Sequence, residues 1–193
     1  MPIVREGGVV PHNYPLLVGE RLYLRGLVDS DAEGRYPAWL NDQETCAGNS
    51  HAVFPYGIYQ AAAYIREVQT SRDALVLAIV ASADDRHIGN IALQNIHPIH
   101  RSADLAILVG EREYWGQGYG LEAARLLCRH GFVALNLQRI QCGTYESNVA
   151  MQKLALALGM RQEGVRRRAA YKSGAYVNVV EYGLLREELL SNP

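Results

Sequence analysis

The chain predicts an α+β fold: a mixed, mostly antiparallel sheet with helices packed on it. Two observations carry this. The hydrophobic period changes along the chain, giving the order strand, two helices, three strands, helix, strand, helix, two strands. The three central strands are joined by connections too short for a parallel crossover. They should form an antiparallel meander, with parallel pairing where a helix crosses over.

Leu16–Val28 is rich in Leu and Val and reads as one strand. Asp29-Ser30-Asp31 offers N-caps for a helix running through Trp39-Leu40. Asn41–Gly57 mixes Gly, Asn, Pro and aromatic residues as an ordered loop, and Gln60–Val68 has helical spacing. Ala74–Ala81, His87–Ile96 and Asp104–Val109 are the meander, with turns at Ser82–Asp85 and around Pro98. A glycine loop follows, then a helix (Leu121–Val133), a strand (Arg139–Gly143), a helix (Asn148–Leu158) and strands near Arg161–Ala169 and Tyr176–Leu185. With no repeat or interior linker, the expected organisation is an N-terminal extension (1–15) and one domain (16–193).

The 193 residues are 49% apolar and 20% charged, with 19 Lys+Arg against 20 Asp+Glu. This is globular composition with no basic field, so neither nucleic acid nor an anionic membrane is expected as a partner. Arg166-Arg167-Arg168 reads as a solvated strand face. Cys46, Cys128 and Cys142 are odd in number and lack CxxC spacing, which fits reduced thiols. The opening residues lack an apolar stretch of signal-peptide type, and no run approaches the about 20 apolar residues of a bilayer span. A cytoplasmic location is therefore expected.

Between a strand and a helix lies Tyr114-Trp115-Gly116-Gln117-Gly118-Tyr119-Gly120. Glycines at alternate positions bare the backbone, and the following helix presents unpaired N–H groups at its positive end. Such a junction suits an anion, most simply a pyrophosphate, although a glycine turn without a ligand is an equal reading of the loop alone. A Walker loop fails because no Lys-Ser or Lys-Thr follows. A Rossmann loop fails because the spacing is GxGxG, four strands precede it, and Arg139-Ile140-Gln141 stands where the ribose acid belongs.

Together with His87-Ile88-Gly89-Asn90, the Leu121-Glu122-Ala123 after the loop, Asn148 ahead of Leu158-Gly159-Met160, and Glu163-Gly164-Val165-Arg166, this loop resembles the GNAT N-acetyltransferase superfamily. The similar branch includes the ribosomal-protein N-terminal-alanine acetyltransferases, and the likeness runs from Val18 to Leu185. The resemblance implies a GNAT-like sheet whose fourth and fifth strands splay apart around acetyl-CoA, with no metal. It implies that Gly116, Gln117, Gly118, Tyr119 and Gly120 bind the pyrophosphate. Ile107, Leu108 and Val109 would pair with pantetheine, an N–H near Leu108 would stabilise the oxyanion, and Asn148 would bond the pantetheine arm. Asn148 is equally an N-cap by its own chemistry.

The chain departs from the family at three places. Trp115 opens the loop where Arg or Gln is usual, and Met151 and Ala155 occupy positions where family members often carry the Ser or Tyr that protonates the leaving thiolate. A thiol with pKa near about 8.5 leaves well enough for water to serve. Tyr145 is the candidate substitute acid, against a packing or substrate-binding role. With no cysteine in a nucleophile context, direct attack of a primary amine is expected. Asp104 is the candidate base, against a plain strand-edge carboxylate. At three to five residues from the thioester region it can act only through a line of waters, and His97 and His100 stand behind it.

The acceptor side implied by the resemblance comprises Trp39-Leu40-Asn41-Asp42, the loop with His51 and Tyr56, and Tyr171 and Tyr176. Its neutral character favours a protein or peptide N-terminus over a polyamine. The Trp39–Asp42 segment also resembles enzymes acting on nucleotide-linked amino sugars, and a silent acyl-CoA-binding module is the reading from another class. A homodimer is compatible with the sequence.

Overall fold

The computed structural model describes residues 14–190. Eight strands form one sheet: β1 (Pro15–Val18), β2 (Leu22–Gly26), β3 (Leu75–Ala81), β4 (Arg86–His97), β5 (Ser102–Val109), β6 (Arg139–Tyr145), β7 (Arg161–Lys172) and β8 (Ala175–Leu185). Their order is β1-β2-β3-β4-β5-β6-β8-β7. Every pairing is antiparallel except β5 with β6. The helices are α1 (Tyr36–Asn41), α2 (Ile58–Thr70), α3 (Tyr119–Val133), α4 (Val149–Leu158) and α5 (Arg186–Leu190). The mixed, mostly antiparallel sheet expected from the sequence is present.

Alternation along the strands builds a core on each face. Leu77 and Ile79 of β3 point with Leu105, Ile140 and Tyr182 to one side, under Ala124, Leu127, Cys128 and Phe132 of α3 and Ala155 and Leu158 of α4. Val76, Ala78 and Val80 point to the other side, under Trp39 and Leu40 of α1 and Ala61 and Ile65 of α2.

Several elements differ from the sequence expectation. Leu16–Val28 is a hairpin rather than one strand: Gly19 N–H donates to the Leu22 carbonyl at 2.8 Å, closing the turn between β1 and β2. The helix expected from Asp29 breaks into a short turn (Asp29–Ala32) and α1. Asp31 accepts the Val28 N–H at 2.9 Å, capping only this short turn, and its carboxylate is also drawn inward to Arg25 at 2.7 and 2.8 Å. The last two strands of the meander and α2 extend slightly past their expected ends while β3 starts one residue later than expected, β7 and β8 lengthen to a tight turn at Ser173-Gly174, and α5 has no counterpart in the sequence reading. The expected extension 1–15 lies outside the described residues except at its end, where Pro15 opens β1.

The joint between β5 and β6 positions the site. Its ladder has three rungs: Ser102↔Arg139, Ala103↔Ile140 and Asp104↔Gln141. Beyond Asp104 the strands part, so Leu105–Val109 has a partner only in β4. The strands expected fourth and fifth are therefore β5 and β6, displaced in number by the extra hairpin strand, and they diverge toward Val109.

Candidate active site

The glycine loop closes on the open end of this divergence. Gly116 (φ +71°) and Gly118 (φ +86°) are both left-handed, a conformation that bares backbone at no steric cost, and Gly118 is the N-cap of α3. A Cβ on Gly116 would meet nothing within 4 Å, so this stretch is open to an approaching group. With Gln117 and Tyr119 it forms a cradle of amides at a 15-residue helix terminus, which fits a pyrophosphate. A Cβ on Gly120 would meet Leu154 of α4 and Ile107 and Val109 of β5 at 3.3–3.6 Å, which seats α3 against the opening.

Arg21, which sequence reasoning missed, braces this cradle. From the β1–β2 turn its guanidinium donates to the Gln117 carbonyl (2.8 Å) and to Glu122 (3.0 Å), and it lies 4.6 Å from the Tyr119 ring centroid. It cancels Glu122, the one acid in the first turn of α3, where a phosphate would otherwise meet a like charge. No local signal ties Arg21 to a loop 96 residues on. Trp115 donates its indole N–H to the Val109 carbonyl at 2.7 Å, fixing the loop to the end of β5.

On the face of β5 that bears Ala106 and Leu108, the parting strands open a cleft of about 410 Å³. Asp104 lies in its wall at the last rung, and both its oxygens are occupied: Gln141 donates to Oδ1 (2.9 Å) and Asn95 to Oδ2 (2.7 Å). Glu181 of β8 lies in the same wall, opposite Gly143 of β6. A Cβ on Gly143 would stand 3.0 and 3.1 Å from the two Glu181 oxygens, so the carboxylate lies over bare backbone. Arg166 donates to Glu181 Oε1 at 2.5 Å, and no donor to Oε2 is found among the described residues. Sequence reasoning missed Glu181 too. Its signal was an acid in phase with Val179 within a mostly apolar strand.

Tyr145 ends β6, half-buried, paired with Val179. Asn148 caps α4, its Oδ1 accepting from Met151 N–H (3.1 Å) while its Nδ2 donates to the Gly48 carbonyl (3.3 Å). His97 and His100 stack at 4.1 Å in the β4–β5 turn, at the closed end of the divergence and far from Val109. Trp39 and Leu40 are core residues. Asn41 stitches the loop to Pro37 and Tyr56, and Asp42 and Glu44 both pair with Arg112. Of the expected acceptor segment, Trp39 and Leu40 are thus buried in the core, while Asn41 and Asp42 lie at the surface, held by these bonds. Gly89 is packed so closely that a Cβ would lie 2.2 Å from the Leu108 carbonyl oxygen, which keeps β4 flush against β5.

All three cysteines are buried, and burial pushes each thiol up, Cys142 to about 12. None offers a thiolate to attack an acyl group. Among the described residues, no group of His, Cys, Asp and Glu is placed to hold a metal, and no helix is long and apolar enough to cross a membrane.

The comparisons agree with this geometry. Residues 21–161 match the model of the acetyltransferase (GNAT) domain family. The uncharacterized N-acetyltransferase YoaA of Bacillus subtilis is 27% identical over 176 residues, covering 90% of this chain and 98% of YoaA. The fold is shared with the spermidine N-acetyltransferase of Vibrio cholerae in complex with CoA and spermine (TM-score 0.80, 20% identity, 88% of this chain and 98% of that one). It is shared equally with Mycobacterium smegmatis RimJ in complex with CoA-disulfide (TM-score 0.81, 21% identity, 92% and 91%). A bare amide cradle at a helix terminus, a divergent β5–β6 joint and a family match across most of the chain converge: this protein belongs to the GNAT family and is an acetyl-CoA-dependent N-acetyltransferase.

Proposed function

We propose that the acceptor is the α-amine of a peptide or protein N-terminus, attacked directly in a ternary complex with acetyl-CoA. The observation that carries this reading is the state of the acids on the acceptor side. Asp42 and Glu44 are paired with Arg112 and Asp104 is held by two amides, while Glu181 alone keeps one oxygen open beside Arg166. A polyamine needs several carboxylates free to meet its charges, and these are largely spent. Burial, and after it the nearby Lys172, depress the pKa of His51 and favour its neutral form.

The surrounding surface suits a peptide. Lys172 donates to the His51 carbonyl (3.3 Å), joining the β7–β8 hairpin to the loop before α2. Phe54 of that loop, Tyr59 of α2, and Tyr171 and Tyr176 of the hairpin are all exposed. With Trp39–Asp42 committed to structure, the likeness to amino-sugar enzymes loses its site residues.

An α-amine also suits the modest base strength of the site. With pKa about 7.7–8.0 it is roughly a tenth neutral at pH 7, whereas a lysine near about 10.4 is almost wholly charged. In this reading the loop 116–120 holds the pyrophosphate, Ile107–Val109 the pantetheine, and an N–H near Leu108 the oxyanion. Asn148 has a second amide hydrogen for the pantetheine arm. Residues 16–193 then act as one catalytic domain, in the cytoplasm, where the three buried thiols stay reduced.

The test is CoA release from acetyl-CoA with peptides beginning Ala, Ser or Met, spermidine, and an amino-sugar nucleotide. Turnover highest on a peptide supports the proposal. Preference for spermidine or the sugar nucleotide removes it, and acetyl-CoA binding without turnover on any amine makes the protein a silent module.

A further inference from the structure

We propose that Glu181, rather than Asp104, is the carboxylate that receives the acceptor nitrogen and takes its proton. This rests on the reading above that the amine reaches the β5–β6 opening from the cleft. Position favours Glu181. Carried past its last rung, the β5–β6 register sets Gly143 level with Ala106, one residue from Ile107. A strand residue rises about 3.3 Å, so measured along the strands the carboxylate over Gly143 is about one step from Ile107 and Asp104 about 10 Å; the remaining separation of Glu181 is the width of the cleft it lines.

Coordination favours it as well. Asp104 has a donor on each oxygen. Glu181 has Arg166 on Oε1 alone, and its side chain remains 30% exposed to the cleft. The ion pair orients the carboxylate, while Oε2 is left to accept an N–H from an ammonium. Gly143 makes the position available, because any side chain there would occupy the space of the carboxylate.

The step balances as follows. Oε2 takes one proton from the ammonium, freeing the nitrogen lone pair, which forms the C–N bond at the thioester carbon. The carbonyl π electrons move to oxygen and return as the C–S bond breaks, and sulfur leaves with its electron pair. The second nitrogen proton reaches the thiolate through water, and Glu181 releases the first to solvent. Ammonium and thioester become amide, thiol and one proton. Arg166 is a positioning residue for this group.

The experiment compares Glu181→Gln, Glu181→Asp and Asp104→Asn across pH on a peptide beginning with Ala. Glu181→Gln should lower kcat/KM by about 10²-fold at pH 7. The loss should shrink below about threefold near pH 9.5, where the α-amine has lost its proton unaided. Acetyl-CoA Kd should stay within about twofold, Glu181→Asp should keep part of the pH 7 activity, and Asp104→Asn should lose activity equally at every pH. A pH-independent loss in Glu181→Gln, a loss under threefold at pH 7, or the pH-dependent loss appearing in Asp104→Asn instead would overturn the assignment. If wild-type protein ignores the peptide and acetylates the amino-sugar nucleotide, the acceptor reading alone falls, and the same comparison on that amine still decides Glu181.

Discussion

Replacing Gly118 by Val tests the phosphate cradle from its backbone upward. Gly118 has φ +86°, and its missing Cβ would lie 3.2 Å from the Arg21 guanidinium. A β-branched residue in that conformation costs about 1–3 kcal/mol, so a folded variant relaxes toward negative φ and pushes Arg21 aside. Both movements re-aim the Gly118 and Tyr119 amides. One hydrogen bond to a charged group contributes about 1.5–3 kcal/mol, and losing one weakens binding by about 10–100-fold. Calorimetric titration with acetyl-CoA should show that rise in Kd, while urea unfolding shows a stability loss no larger than the backbone strain. Asn tolerates the left-handed conformation, so Gly118→Asn separates strain from crowding and should lose less affinity. A folded Gly118→Val protein with Kd within twofold of wild type means that the pyrophosphate does not lie on this loop.

Arg21→Gln removes the brace and a positive charge, so acetyl-CoA affinity should fall about fivefold at low salt, with the deficit narrowing at high ionic strength in the same titration. Tyr145→Phe should lower kcat by less than about threefold, because a thiolate leaves without a dedicated acid; a loss near 10²-fold in steady-state kinetics would make Tyr145 the proton donor. For Asp31, burial pushes the carboxyl pKa up, but hydrogen bonds from Arg25 and His87 outweigh it and hold the carboxyl below its ordinary range. A depressed folded pKa stabilises above the unfolded value near about 3.9 and is lost as pH falls further. Asp31→Asn should therefore cost about 3–5 kcal/mol in urea unfolding at pH 7, with the gap from wild type closing below about pH 4.

Where a residue's role is settled by its neighbours in sequence, it was legible. Ala74–Ala81 is apolar throughout, as a strand buried on both faces is, and both faces of β3 are filled. Gly116–Gly120 declared a bared helix terminus because its chemistry is local, and Asn148 declared a cap for the same reason. Roles set by distant partners were not legible. Asp29-Ser30-Asp31 looks like the cap of a long helix, yet Asp31 caps only a short turn and also binds the buried Arg25 and, 56 residues on, His87. Asp104 looked available as a base, and only the fold shows Asn95 and Gln141 on its two oxygens. Arg21 and Glu181 matter through Gln117 and Gly143, contacts that no periodicity encodes.

The single parallel joint explains why chemistry gathers where it does. Elsewhere each strand meets its neighbour antiparallel, and the ladder uses the backbone groups of both. Between β5 and β6 the chain crosses over through the glycine loop and α3, and the ladder stops after three rungs. Past that point the free edge of β5 faces the free edge of β6 across a widening gap beneath α3 and α4. Unpaired backbone amides in such a place cost free energy unless something satisfies them. Pantetheine is an extended chain with two amides and has the shape of a missing strand. The helix crossing that forces β5 and β6 parallel also delivers an α-helix N-terminus to the open end of the gap, where a phosphate can be held. In the proposed reading, one topological feature therefore supplies the slot for the arm, the anion site at its mouth and the cleft through which an amine can approach from the opposite face.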